Sequence, residues 1–382
     1  MNTGKIAFAV LLLYSTLSLG QGLDKHEAFT SKKKSITLRT GIQLKYYEKG
    51  NPDGTPVLLL HGFTDSGRSF QGMIDELTRI NKSLRIIAPD ARGHGDSSMP
   101  SDPECAAQPE KCFTQEKLAA DMLSLLDQLK IGKAHVVGHS MGSITAQYLA
   151  TKHSQRVASL TLIGTFVNGQ QSAGIQNFLI DEMLEGTWRP LLEKREGFQY
   201  PKDAYQLTAH GLGDDVNRFL RENWVNEACA EEKFLDAVFI ETSYTHLGTW
   251  IGCIYGSLAN VDTRDMIKTL KVPTLILWAT QDISFPASDQ KQVVLAFGEA
   301  AKNNGTKVLY KTYGRQELPE NGFPLTEVGH NLHWGAPRQV AEDISSFIRT
   351  GYPEVNLPYA NPQNVKEIIV DTANARIEQL GK

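Results

Sequence analysis

The chain has 382 residues, with 39 lysines and arginines against 43 aspartates and glutamates for a formal net charge of −4, and it is 41% hydrophobic and 21% charged. That balance is close to the globular average and excludes a disordered chain, a collagen-like fibre and a polytopic membrane protein; it also lacks the basic footprint of a nucleic-acid binder. At about 100–200 residues per domain, the length holds two domains or one large domain with an insertion, enough to bury a sizeable core.

Residues 1–20 differ from the rest. A short start ending in Lys5 carries positive charge, Ile6 to Leu13 are all apolar, and Ser18 and Gly20 stand like the −3 and −1 positions of a signal-peptidase site. The fourteen residues from Ile6 to Leu19 span only about 21 Å as a helix, short of a bilayer core of about 30 Å. A cleaved secretory signal is therefore expected, with an uncleaved N-terminal anchor as the alternative. The run Lys32-Lys33-Lys34 reads as a solvated segment.

Residues 35–39 and 43–48 then predict a β-hairpin turning at Thr40-Gly41. Compact apolar runs at 56–60 and 84–88 predict strands, and 114–129 predicts a helix with Leu118, Met122, Leu125 and Leu126 on one face. A strand at 134–137, a turn at 138–142 and a helix from Ser143 to about Lys152 follow, with further strands at 158–163, 274–278 and 307–312 and a closing helix at 338–348. Short apolar strands alternating with helices mean a mostly parallel sheet covered on both faces. The alternation fails over 166–265, where Ile175, Phe178, Leu179 and Met183 form one helical stripe in an aromatic-rich stretch. This segment reads as a helical insertion. In the tail, 365–380 fits either an amphipathic helix or a hairpin.

Four cysteines in an exported chain permit disulfides with three connectivities. Cys105 and Cys112 bracket a short loop and are the first expected pair; Cys229–Cys253 is the second, and four buried thiols are the alternative. The long loop 99–112, tied in this way, is expected to narrow the entrance to a site. No Cys or His spacing suggests a metal site.

The chemistry concentrates in Gly138-His139-Ser140-Met141-Gly142, a G-x-S-x-G match with a strand leading in and a helix leading out. A serine hydroxyl needs a general base, itself oriented by an acid, and in this architecture they follow in the order Ser, Asp or Glu, His. Asp282 lies just beyond the predicted strand 274–278 and His330 in the loop after the last predicted strand, both at strand C-terminal ends, where sites in such sheets gather. Asp262 or Glu327 as the acid and His333 as the base are the competing assignments. Two backbone N–H groups are needed for the developing oxyanion, and Met141 and Phe63 are the candidates: one follows the nucleophile, the other sits in His61-Gly62-Phe63 after an early strand.

Taken with Asp90-Ala91-Arg92-Gly93-His94-Gly95-Asp96-Ser97, the strand Val272 to Trp278 and Gly329-His330, these motifs resemble the α/β-hydrolase superfamily in the lineage with a helical cap. The resemblance implies an eight-stranded sheet, a core at 35–165 and 266–350, a cap at 166–265, a C-terminal tail at 351–382, and a Ser140–His330–Asp282 triad. Ser140 stands where haloalkane dehalogenases and most epoxide hydrolases of that lineage carry Asp, which argues against both activities. The expected function is hydrolysis of a carboxylic ester of a small molecule with an apolar group, with no cofactor, metal or nucleic acid. A carbon–carbon hydrolase or lactonase with the same triad, or a ligand-binding protein on this fold, are the alternatives.

Overall fold

The computed structural model describes residues 27–227, 229–314, 328–354, 359–360, 369–370 and 376–381; the expected signal at 1–20 lies outside them. The apolar runs of the sequence form one sheet from β1 (Lys34–Thr37), β2 (Gln43–Gly50), β3 (Thr55–Leu60), β4 (Leu84–Pro89), β5 (Ala134–His139), β6 (Val157–Ile163), β7 (Thr274–Ala279) and β8 (Val308–Tyr313). Two-residue strands β9 (Tyr359–Ala360) and β10 (Ile369–Val370) pair with each other, and β11 (Arg376–Gln379) returns to the main sheet. The order is β1-β2-β4-β3-β5-β6-β7-β8-β11. Neighbours from β4 to β8 run parallel, while β1, β2 and β11 pair antiparallel at the two edges.

The sheet is thus nine-stranded, not eight-stranded. The tail past residue 351 is not separate from the core, because β11 covers the outer edge of β8 with Ile377 opposite Lys311. An open edge would leave a row of backbone groups unpaired. The central strands are largely apolar because both faces are covered: Leu58 and Leu60 enter one core cluster, and Val57 and Leu59 the other.

The helices in chain order are α1 (Gln71–Ile80), α2 (Gln115–Gln128), α3 (Met141–Lys152), α4 (Gly174–Trp188), α5 (Glu232–Tyr244), α6 (Leu247–Cys253), α7 (Ala287–Asn304) and α8 (Pro337–Thr350). On one sheet face lie α2, α3 and α7; on the other lie α1 and α8. Thr114 caps α2 by accepting the Lys117 N–H, the side-chain cap that starts a helix here rather than earlier.

Residues 164–273, between β6 and β7, are mostly helical and gather around their own apolar cluster, which includes Trp188 and Trp250. Here α4 is wound with i→i+5 hydrogen bonds, so its buried face advances by an extra residue per turn. Ile175, Leu179, Met183, Leu184 and Trp188 go inward, and Phe178, expected on the stripe, is 36% exposed.

Cys105 and Cys112 form a disulfide with Cα atoms 5.7 Å apart. The second expected pair does not form: Cys253 is buried in the cluster of the insertion and Cys229 in the cluster under α1 and α8. In the lysine run Lys32 and Lys34 are exposed, but Lys33 departs from the solvated reading. The Lys33 side chain is 1% exposed, and its ammonium donates to Asp90 at 2.7 Å and Asp96 at 2.6 Å, with Glu241 of α5 at 3.9 Å. Sequence shows a charge run but not the carboxylates waiting beneath it.

Candidate active site

Ser140 sits at the turn between β5 and α3 with φ 50° and ψ −120°. That is a region non-glycine residues rarely enter, at about 1–3 kcal/mol. The surroundings over-determine it: the Ser140 N–H donates to the Ile163 carbonyl at 3.0 Å, and the Ser143 N–H and hydroxyl both donate to the Ser140 carbonyl. The flanking glycines are there for close approach. A Cβ on Gly142 would lie 2.3 Å from the Leu60 carbonyl oxygen, and one on Gly138 would lie 2.5 Å from that of Gly142.

Asp282 and His330 are brought together by the loops after β7 and β8. His330 Nδ1 is 3.0 Å from both Asp282 carboxylate oxygens; since a carboxylate only accepts, Nδ1 carries the proton and Nε2 keeps its lone pair. Asp282 is itself fixed by the N–H groups of Ser284 and Phe285, each 2.9 Å from Oδ1. Ser140 and His330 line the same cavity, with no hydrogen bond between them, a loose spacing usual before substrate tightens a site.

The backbone around His330 is held as firmly as its ring. Glu227, from the insertion, accepts the Gly329 N–H at 2.6 Å and the Asn331 N–H at 2.7 Å. His139 Nε2 donates to the His330 carbonyl at 3.2 Å, and its ring lies 4.9 Å from that of His330.

Met141 opens α3, so its N–H has no intrahelical acceptor. The Phe63 N–H, three residues past β3, likewise has no acceptor among the described residues. The Phe63 ring packs edge-on against Trp224 and Trp250 of the insertion. Met141 follows Ser140 directly in the chain, and Phe63 lines the cavity that Ser140 also lines.

The cavity has a volume of about 420 Å³. Ile175, Phe178, Leu179, Phe219, Leu258 and Phe285 make an apolar side, and Asp65, Asn223, Glu227 and Gln281 a polar one. No residue of the loop 99–112 lines it, which corrects the expected narrowing of the entrance; the bridged loop packs instead against α6.

Burial disfavours charge on every group here, and the neighbours decide who keeps it. For His330 the loss of solvent is outweighed by the attraction of Asp282, its hydrogen bond, Glu227 and Asp65, so its pKa lies above the ordinary histidine value. His139, although its Nδ1 lies 3.7 Å from Asp65, is pushed well below it by burial and by His330, and His333 by burial, His139 and His330. Burial raises the Asp65 carboxyl to about 6 and that of Glu227 to about 7, although hydrogen bonds and His330 oppose both shifts. A polarised imidazole lining the same cavity as a strained serine is an arrangement suited to proton abstraction.

The competing assignments are placed elsewhere. Asp262 pairs with Arg264 at the surface, and His333 is buried behind the site against Phe70, with Nε2 2.9 Å from the Ser69 hydroxyl. Glu327 lies outside the described residues. Glu227, Asp65 and His139 escaped the sequence reading. His139 sits inside the pentapeptide and Asp65 two residues past Phe63, so position alone could have flagged them; nothing in the sequence flags Glu227. Among the described residues no group of three or more His, Cys, Asp and Glu could hold a metal ion, and no helix is long and apolar enough to cross a membrane.

The model of the alpha/beta hydrolase fold family matches residues 55–304. The chain is 31% identical over 254 residues to Lipase 1 of Psychrobacter immobilis, covering 65% of this chain and 69% of that one. It is 27% identical over 338 residues to the dihydrolipoyllysine-residue acetyltransferase component of the acetoin cleaving system of Pseudomonas putida, covering 86% and 72%. The enol-lactonase from Burkholderia xenovorans superposes with a TM-score of 0.57 at 20% identity, over 83% of this chain and 100% of that one, a likeness of fold alone. The chain belongs to the alpha/beta hydrolase fold family.

Proposed function

We propose that the chain is an exported serine hydrolase that cleaves carboxylic esters carrying an apolar acyl or alcohol group. The observation that carries this reading is Ser140 on its strained turn, sharing one apolar cavity with a His330 ring whose Nδ1 faces Asp282. Ser140 attacks the ester carbonyl, and His330 Nε2 takes the hydroxyl proton while Asp282 holds the tautomer and stabilises the imidazolium. The N–H groups of Phe63 and Met141 receive the oxyanion. His330 then protonates the departing alcohol, and water activated by the same imidazole releases the acid from Ser140. The apolar side of the cavity, built largely by the helical cap, supports an apolar acyl group, and the lipase relative supports ester chemistry. Export is supported by the leader pattern of residues 1–20 and by the Cys105–Cys112 bridge.

The test is hydrolysis of p-nitrophenyl esters of increasing acyl length by the wild type and by Ser140→Ala. Turnover that falls at least about a thousand-fold in the variant fits loss of a triad member. A folded wild type that cleaves no ester in the series refutes ester hydrolysis and shifts the reading to carbon–carbon or lactone cleavage.

A further inference from the structure

Glu227 is a carboxylate buried to 4% exposure, on a segment of the cap far in sequence from any motif, yet it lines the same cavity as Ser140 and His330. Its two oxygens take the backbone N–H groups of the residues on either side of His330, at 2.6 and 2.7 Å. One side chain therefore straddles the histidine and holds the backbone before and after it. A glutamine or a backbone carbonyl can accept one such N–H without the penalty of burying a charge, so the pair of bonds alone does not call for a carboxylate. What a neutral acceptor lacks is the negative charge. That charge stands beside the one group in the site that becomes a cation during turnover, where a fixed charge in a water-poor setting acts strongly.

We propose that Glu227 is a positioning residue for His330: its carboxylate clamps the Gly329–Asn331 backbone so that the imidazole faces Ser140, and it supplies a second negative charge to the imidazolium. The proposal rests on the reading of Ser140, His330 and Asp282 as a triad. It makes the cap part of the base's support, since Glu227 belongs to residues 164–273 and His330 to the core.

The groups facing His330 are Asp282 after β7, Asp65 after β3, Glu227 from the cap, His139 at the end of β5 and His333 on the turn that follows. His139 and His333 stay neutral, so the carboxylates set the field. Above about pH 7, where Glu227 is mostly ionised, its charge favours protonated His330. Removing its charge lowers the His330 pKa, and because the base works unprotonated, the acid limb of kcat/KM moves to lower pH.

The experiment compares wild type, Glu227→Gln and Glu227→Asp on p-nitrophenyl butyrate from pH 5 to 9, with melting curves and with Ser140→Ala alongside. In Glu227→Gln we expect kcat to fall about 10- to 100-fold, the range that follows a small misplacement of a reacting group, with KM little changed and the acid limb displaced to lower pH. Glu227→Asp keeps the charge but is too short to straddle both N–H groups, so kcat falls while the limb stays nearer to its wild-type position. A folded Glu227→Gln with an unmoved acid limb overturns the proposal, whether or not kcat has dropped, because a purely structural role predicts loss of stability without that shift. Turnover surviving in Ser140→Ala overturns the triad itself, and is read independently of either Glu227 variant.

Discussion

Replacing Asp282 by asparagine changes one atom and removes one charge, and the structure dictates which atom. Oδ1 accepts two backbone N–H groups, from Ser284 and Phe285, at 2.9 Å each. An amide nitrogen placed there would strand both donors, at about 1–3 kcal/mol each, so the asparagine oxygen keeps that place and its NH₂ takes the position of Oδ2. That nitrogen then stands 3.0 Å from His330 Nδ1, where its hydrogens oppose an Nδ1 proton and favour the tautomer protonated on Nε2; Oδ1, also 3.0 Å from Nδ1, is already engaged by two backbone N–H groups. A ring protonated on Nε2 cannot accept the Ser140 hydroxyl proton. Loss of about 10⁴ in kcat follows, the scale of a wrong-tautomer triad, or about 5 kcal/mol of transition-state stabilisation. Melting should be little affected, because the two backbone bonds survive. The wild-type profile of kcat/KM should rise through a pKa above the ordinary histidine value, since Asp282 and Glu227 together outweigh burial, and in Asp282→Asn that limb should move to lower pH. The assay is ester hydrolysis over pH with Asp262→Asn, a surface residue paired with Arg264, as the unaffected control. A kcat for Asp282→Asn within about tenfold of wild type would refute the reasoning, since each good bidentate or triad contact is worth more than about 1.4 kcal/mol.

Lys33→Met leaves Asp90 and Asp96 without their buried cation and should lower the unfolding free energy by about 3–5 kcal/mol; a urea-melt loss below about 1 kcal/mol, the value of a surface pair, contradicts the buried network. Replacing Cys105 and Cys112 together by serine opens a loop of separation 7 and should cost about 2–3 kcal/mol of stability. KM should not change, as no residue of that loop lines the cavity; a changed acyl-length preference would count against this placement. Leu179→Trp fills the apolar side of the cavity and should shorten the longest acyl chain cleaved while sparing acetate esters, at about 1–3 kcal/mol in stability for overpacking. An unaltered chain-length profile would show that the acyl group binds elsewhere.

Most of the sheet was legible because its strands are buried on both sides and so appear as unbroken apolar runs, such as Val57 to Leu60. The serine turn was legible for a different reason: glycines four residues apart flank a position that only close backbone packing explains. Asp282 and His330 could be named because ligand loops follow strand ends. What could not be read depends on partners distant in sequence. Glu227 accepts from residues 102 and 104 positions away, and Lys33 donates to residues 57 and 63 away, so neither leaves a local pattern. Arg376–Gln379 is four residues long with two charges, too short and too polar to announce a strand. Phe178 falls on the apolar stripe only at the usual helical period, whereas α4 winds more widely and turns it outward.

The strand on the β8 edge of the main sheet is also the last of its strands in chain order, so it is synthesised after all the others. Until Arg376–Gln379 arrives, β8 presents a flat row of free donors and acceptors that any other extended segment can join. Order of synthesis therefore puts a window of vulnerability at the end of folding, when the rest of the sheet can already be in place. Truncation between Gly351 and Arg376 would keep every residue of the cavity and still reopen that seam. Such a shortened chain should begin active and then be lost to association between copies, with a rate that climbs with protein concentration.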